Sequence, residues 1–399
     1  MDGDGERLTS GYTGRMLVTT SIGWGTVQAG KLVFSPLLPS IQADFGIGSS
    51  LAGLALTTMW AIYALAQYPS GRFSDRLSRK TLLVLGLAVL VLGFLVVGVA
   101  PTYPVFLLGM IVVGAGAGFY PTTTKALLSD LFTERRGEAF GIHTASSDFG
   151  GIVAAGLATL VVAVSIWRTA FVPIVLALGL VAVGLHVWSR ESYVIESPSL
   201  GATDTVRRLF ARSENRLLLL AYTLFNFTWQ ASTGFLPTYL QSGKSLPPIV
   251  ANSAFAVLFA VGVIVKPISG WLGDRFPRDT LAILGLLIAA CSLVGIVFAD
   301  STPLMLLSVV GFAAGLLSYP PVMQALLMDS FPDSSYGGDL GAMRTIYIGF
   351  GSLGPTYVGV VAARASYDLA FLGLSAALIA AVLLIGVVRL GSTDTSAAR

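Results

Sequence analysis

Apolar residues run along this chain in stretches of about 20, separated by short polar gaps, and a run of that length matches the hydrocarbon thickness of a bilayer. Reading these runs predicts helical spans near 16–40, 50–71, 81–100, 104–128, 138–163, 168–189, 216–240, 248–271, 280–299, 303–328, 337–361 and 367–389. Glycine and proline interrupt many of them, which membrane helices tolerate where neighbours satisfy the freed backbone groups. The fold class expected is an all-α membrane protein of twelve transmembrane helices. The one sizeable polar connection, Glu191 to Asn215, reads as a linker carrying a short surface helix: Ser197-Pro198-Ser199 precede a basic segment. It divides the chain into a six-helix bundle over 1–195, a linker over 196–215 and a second six-helix bundle over 216–399.

The two halves repeat one another. Gly71-Arg72-Phe73-Ser74-Asp75-Arg76-Leu77-Ser78-Arg79 returns as Gly270-Trp271-Leu272-Gly273-Asp274-Arg275-Phe276-Pro277-Arg278, both reading G-x-x-x-D-R-x-x-R in a gap between apolar runs. Tyr120-Pro121 matches Tyr319-Pro320, and Ala126-Leu127-Leu128 with Asp130 matches Ala325-Leu326-Leu327 with Asp329. Gly141 pairs with Gly341 and Ala170-Phe171 with Ala370-Phe371. The offset is 199 in the earlier matches and 200 in the last two. A doubled bundle of membrane helices is the layout of a secondary transporter.

Composition agrees: 54% of residues are hydrophobic and 11% charged, where a soluble domain carries roughly 25% charged. Lys and Arg gather in alternate gaps. Arg72, Arg76, Arg79, Lys80, Arg135, Arg136, Arg190, Arg207, Arg208, Arg212, Arg216, Arg275 and Arg278 lie on one side, against Arg168, Lys244 and Arg364 on the other. Positive residues accumulate in cytoplasmic loops, which places both termini and the linker in the cytoplasm of a cell (inner) membrane protein. The first fifteen residues carry Asp2, Asp4 and Glu6 without an apolar core, so no cleaved signal peptide is expected. Cys291 is the single cysteine, which excludes an intramolecular disulfide.

No Gly-rich phosphate loop followed by Lys supports ATP-driven transport. Two histidines and one cysteine give no metal spacing, and no Ser/His/Asp grouping suggests a hydrolase. The expectation is a monomer that is not an enzyme, with no metal, no cofactor and no nucleic acid. Its partners are the lipid bilayer and a small-molecule substrate.

By these motifs the chain resembles the major facilitator superfamily over essentially its whole length. That family carries a G-x-x-x-D-R-x-G-R-R/K loop between its second and third helices, and here Ser78 replaces the second glycine. The resemblance implies that Asp75 faces the N-terminus of the eleventh helix, where the helix dipole favours an anion. It also implies that Arg76 and Arg79 reach Asp130 at the end of the fourth helix. Gly71 would allow close helix approach at the rim, and Gly270, Asp274, Arg275 and Asp329 would form the mirror arrangement. Such residues gate; the bland alternative is an ordinary topology-setting basic loop. The family's third, sixth, ninth and twelfth helices are outer supports, and the corresponding spans here carry no charge in their interiors apart from His186 near the end of the sixth.

A charge at bilayer depth costs roughly 2.5–3.5 kcal/mol on insertion scales and usually faces a wet cavity. Asp148 is the only acidic residue well inside a span; the basic ones are Lys31, Lys125, Lys266 and Arg344, with His143 a titratable neighbour. Gln28 and Trp24 precede Lys31 by three and seven residues and share its helix face. Lys31 either contacts substrate or is neutralised by Asp148. Asp148 either carries a proton or pairs with Lys31 or Arg344. Lys266, followed by Pro267, resembles the anion-binding cation of monocarboxylate porters, although Gly262 stands where their coupling acid would be. Arg344, with Tyr347 on its face, either binds an anion or gates, and Lys125 snorkels. Asn226 and Gln230, one turn apart, are further substrate candidates, as are Tyr63, Tyr120 and Tyr319.

More buried positive than negative charge favours a small organic anion such as a monocarboxylate, moved by alternating access and open to proton coupling. Two alternatives stay open. One is proton-coupled export of drugs, that is hydrophobic or cationic compounds, through Asp148, although the fifth span lacks the proline of the drug-antiporter motif. The other is a non-transporting membrane receptor or scaffold.

Overall fold

The computed structural model describes residues 6–74, 77–164, 166–194, 213–328 and 336–397, which are helical with no strand. The expected linker helix, Asp75, Arg76 and Asp329 lie outside these residues. In chain order the helices are α1 (Gly11–Leu32), α2 (Phe34–Phe45), α3 (Ser49–Ser74), α4 (Arg79–Val99), α5 (Tyr103–Leu131), α6 (Arg136–Val164) and α7 (Phe171–Trp188). They continue with α8 (Ser213–Thr238), α9 (Pro248–Gly273), α10 (Arg278–Phe298), α11 (Thr302–Met328), α12 (Tyr336–Gly351), α13 (Leu353–Arg364) and α14 (Tyr367–Ala397).

Two predicted spans are each built from two helices. The first breaks at Val33 between α1 and α2, because Pro36 has no N–H to return to the Leu32 carbonyl. The eleventh breaks at Ser352 between α12 and α13, where Pro355 deprives the Gly351 carbonyl in the same way. Lys31 therefore sits in the last turn of α1, beside a break rather than mid-helix.

Among the described residues, ten helical stretches are long and apolar enough to cross a membrane. The other two predicted spans, α1–α2 and α8, are the first of each six-helix set. Their buried faces are polar: Thr19, Thr20, Ser21, Lys31 and Ser35 in one, and Asn226, Thr228, Gln230, Ser232, Thr233 and Thr238 in the other. Polar faces dilute hydropathy, and neighbouring helices rather than lipid must cover them. With these two the chain has its twelve spans. By contrast α4, α7, α10 and α14, the third, sixth, ninth and twelfth, turn apolar stripes outward. Val172, Leu176, Leu180, Val183 and Val187 form the stripe on α7. These are bilayer-facing surfaces of a multi-pass membrane protein.

The chain forms two compact units, Met1–Phe45 with Thr58–Leu200, and Gly46–Thr57 with Gly201–Arg399. The first turns of α3 thus group with the second unit instead of the first. Thr57 contributes to this: its hydroxyl donates to the Ser352 carbonyl at 2.6 Å and accepts from Thr356 N–H at 3.1 Å and Thr356 Oγ1 at 2.8 Å.

Within each unit the repeat reaches atomic contact. A Cβ at Gly116 of α5 would lie 2.5 Å from Leu90 N and 2.8 Å from Gly86 O of α4. A Cβ at Gly315 of α11 would lie 2.5 Å from Ala289 N and 2.6 Å from Gly285 O of α10. All three pairs, 116/315, 90/289 and 86/285, keep the 199-residue offset read from the motifs. Small residues at these crossings let backbones touch, which substitutes for the hydrophobic drive that lipid removes.

Candidate functional site

In the first unit, α1, α3, α5 and α6 gather the buried polar groups. Lys31 is 3% exposed and its Nζ stands 4.0 Å from the Tyr63 ring centroid, 4.4 Å from Trp60 and 5.4 Å from Trp24. Ring faces are electron-rich, and a desolvated ammonium over them gains about 2 kcal/mol. Trp60 and Tyr63, one turn apart on α3, hold each other edge to face at 5.4 Å. Trp24 and Gln28 are on the face of Lys31, as their spacing requires.

Trp24 stacks with Tyr120 of α5 and with His143 of α6, both at 6.1 Å between centroids. The Tyr120 hydroxyl donates to the Thr20 carbonyl at 3.0 Å, tying α5 to α1. Gln28 Nε2 donates to Ser147 Oγ on α6 at 2.9 Å, and the adjacent Asp148 is 2% exposed. Glycines make this approach possible: a Cβ at Gly150 would stand 3.0 Å from Gln28 Cβ, and one at Gly25 would stand 3.0 Å from the Ser146 carbonyl. On α3, buried Gln67 accepts from Thr122 Oγ1 at 3.1 Å. Lys125 is exposed, consistent with a side chain that reaches the surface.

The second unit distributes its candidates differently. Asn226 is buried, but its Nδ2 donates to the Tyr222 carbonyl one turn back at 3.0 Å. Gln230, 1% exposed, donates Nε2 to the Ile348 carbonyl at 3.0 Å, just before the α12–α13 break. Both lie where Gly351 crosses α8, its Cβ position being 2.7 Å from Asn226 Cβ and 3.1 Å from Gln230 Nε2. Tyr347 is buried against Tyr222 at 4.2 Å, and Phe225 and Tyr319 extend this aromatic cluster. Arg344 and Lys266 are half-buried, and exposed Ile264, Pro267 and Ile268 flank Lys266 on α9.

Of the rim residues, Arg79 meets Asp130 at 3.3 Å, with Asp130 largely exposed. Asp274, which caps the end of α9, lies 3.9 Å from Arg278, the first residue of α10. Arg275 stacks on Trp271 at 3.9 Å and donates to the Trp271 carbonyl at 3.3 Å. The expectation that Gly71 permits close helix approach is corrected: a Cβ there would meet Thr122 Cγ2 at 3.7 Å, an ordinary contact. At Gly270 a Cβ would meet nothing within 4 Å.

Sequence reasoning missed Trp60 and Ser147. Trp60 lies one turn from Tyr63, and that spacing was the only available signal. Among the described residues no group of His, Cys, Asp and Glu could hold a metal ion. The chemistry on offer is binding: a cation boxed by rings, a nearby buried carboxylate and several amides.

Comparison with known proteins fits this geometry. A probable 4-methylmuconolactone transporter of Cupriavidus pinatubonensis is 25% identical over 370 residues, covering 87% of this chain and 85% of that protein. The cis,cis-muconate transport protein of Acinetobacter baylyi is 24% identical over 367 residues, covering 88% and 87%. The crystal structure of a bacterial homologue of the human lysosomal transporter Spinster, inward-facing and occupied, superposes with a TM-score of 0.80 at 18% identity, covering 98% of each chain. The model of the Major Facilitator Superfamily matches residues 20–317 and 218–398. Twelve spans, a repeated G-x-x-x-D-R loop, the shared fold and this match have one reading: the chain belongs to the Major Facilitator Superfamily.

Proposed function

We propose that this protein is a secondary transporter of a small organic anion, working by alternating access, with Lys31 as the anchoring cation. The observation that carries the reading is Lys31 itself: an ammonium 3% exposed, at membrane depth, among Trp24, Trp60 and Tyr63. A charge placed there costs roughly 2.5–3.5 kcal/mol, and charges at that depth usually face a wet cavity. The related proteins whose names specify 4-methylmuconolactone and cis,cis-muconate support an organic anion for this chain too.

Asp148, buried on the neighbouring helix, is proposed as the proton carrier. The distribution of Lys and Arg supports cytoplasmic termini in an inner membrane. Rim residues Arg79 and Asp130, and Asp274 and Arg275 in the second unit, are proposed to gate, as are Asp75, Arg76 and Asp329. Lys266, Arg344, Asn226, Gln230 and Tyr347 are candidate contacts in the second unit, each to be tested singly.

The test is thermal unfolding of purified protein against a panel of mono- and dicarboxylates, since a ligand of the folded state raises its apparent stability. Uptake of the best binder into proteoliposomes then follows. The expected result is stabilisation and uptake by wild type, both lost in Lys31→Gln while the unliganded protein still elutes as one folded species. Uptake unchanged in Lys31→Gln removes Lys31 from the site.

A further inference from the structure

Two buried polar atoms of the first unit stand beside Trp24 and are left unused. Gln28 spends its amide nitrogen on Ser147 Oγ, and its Oε1 has no hydrogen-bond partner. His143 is 1% exposed; its Nε2 lies 3.2 Å from Thr124 Oγ1, and its Nδ1 has no partner. The hydroxyl it meets favours one tautomer of that histidine. Thr124 Oγ1 lies 2.9 Å from the Tyr120 carbonyl and 3.2 Å from the Pro121 carbonyl, so its hydrogen has a backbone acceptor and its lone pairs are left for the imidazole. In that arrangement a neutral ring donates from Nε2 and presents a lone pair at Nδ1. Both unused atoms are acceptors.

They are also neighbours by construction. Trp24 and Gln28 are one turn apart on α1, and His143 and Ser147 one turn apart on α6. The two turns are joined by the Trp24–His143 stack and the Gln28–Ser147 bond. Lys31 follows Gln28 on the same face. The second unit repeats half of the device: Gln230 fixes its amide nitrogen on the Ile348 carbonyl and leaves a buried Oε1 unpartnered. A buried acceptor without a donor costs free energy comparable to a lost hydrogen bond, and such groups need a reason.

We infer that the anion taken by this site also carries hydroxyl groups: it is a hydroxycarboxylate whose O–H donors are received by Gln28 Oε1 and His143 Nδ1. This rests on the anion reading above and narrows it. A carboxylate alone offers acceptors only, so it answers Lys31 and leaves both amide and imidazole unsatisfied. A hydroxyl satisfies them, and a site built to hydrogen-bond a hydroxyl discriminates strongly against the analogue lacking it. Gln28 and His143 are then specificity residues.

The experiment compares matched acids on the purified full chain: glycerate against propanoate, and gluconate against hexanoate, by thermal shift and by competition for uptake. Expected is at least tenfold tighter binding of the hydroxylated member by wild type. In Gln28→Met that preference falls to within threefold. His143→Phe, which keeps a ring against Trp24 and removes the acceptor, gives the same loss and covers the case in which Gln28→Met does not fold. Equal or weaker binding of the hydroxylated member by wild type overturns the inference and leaves the anion reading standing. Binding of neither member removes both.

Discussion

The paired glycine crossings give the sharpest test of the repeated architecture. In Gly116→Ala the new Cβ would sit 2.5 Å from Leu90 N and 2.8 Å from Gly86 O, both backbone atoms that cannot rotate away. Ordinary contact begins near 3.4 Å, so α4 and α5 must part by roughly 0.9 Å at that point. Overpacking of this kind costs about 1–3 kcal/mol. Alanine also returns up to about 1 kcal/mol of intrinsic helix preference, which a control must cancel. Gly98, on α4, supplies it, since a Cβ there meets nothing within 4 Å. The difference between Gly116→Ala and Gly98→Ala isolates the clash. In a unit of roughly 200 residues each kcal/mol moves the melting temperature by about 2–4 °C. Gly315→Ala against Gly386→Ala repeats the comparison in the second unit, Gly386 being equally open. The assay is ligand-free thermal unfolding in one detergent. Gly116→Ala melting together with Gly98→Ala would refute the close crossing. A large cost at Gly116 with none at Gly315 would refute its repetition.

Other outcomes follow from single contacts. Asp148→Asn should abolish the stimulation of uptake by an inward proton gradient while sparing exchange of labelled for unlabelled substrate; gradient-driven uptake surviving in that variant removes Asp148 as carrier. Thr57→Val keeps shape but strands the Ser352 carbonyl and two Thr356 donors, an expected loss of about 1–3 kcal/mol in unfolding; Thr57→Ser should recover most of it. Glu6 is held down to about 2, first by the Thr133 hydroxyl and then by the backbone N–H groups of Glu134, Thr133 and Arg135. Its contribution is thus present above the ordinary carboxylate value of 4.5 and lost as pH falls toward 2. Amide exchange at Thr133, Glu134 and Arg135, corrected for intrinsic rates, should stay protected at pH 5, be released near pH 2, and be released at both in Glu6→Ala.

Much of the fold was legible because lipid imposes it. Run length gave the spans, and the 199-residue offset read from Tyr120 and Tyr319 holds at the level of Gly116 and Gly315. The site was legible only along single helices. Gln28 and Trp24 beside Lys31 follow from helical period. Trp60 reaches Lys31 from α3, and Ser147 reaches Gln28 from α6, and no local pattern announces either. Asn226 shows the converse: spacing made it a cavity candidate, yet the Tyr222 carbonyl one turn back uses its amide. Gly71 shows that a motif glycine need not be a crossing glycine; its neighbour stands at ordinary distance, while the real crossings sit in runs that look like plain apolar sequence. The hydropathy of α1–α2 and α8 is lowered by the residues that matter most, so a scan for apolarity passes over the helices richest in chemistry.

The interruption at Val33 bears directly on the boxed ammonium. With Pro36 unable to complete the ladder, the helix is interrupted there, and Lys31 is two residues away. A few degrees of flexure at this joint would swing the cation across the faces of Trp60 and Tyr63, which ride on a different rod. If Lys31 anchors the cargo as proposed, the angle of this one joint sets how closely the cation meets those rings.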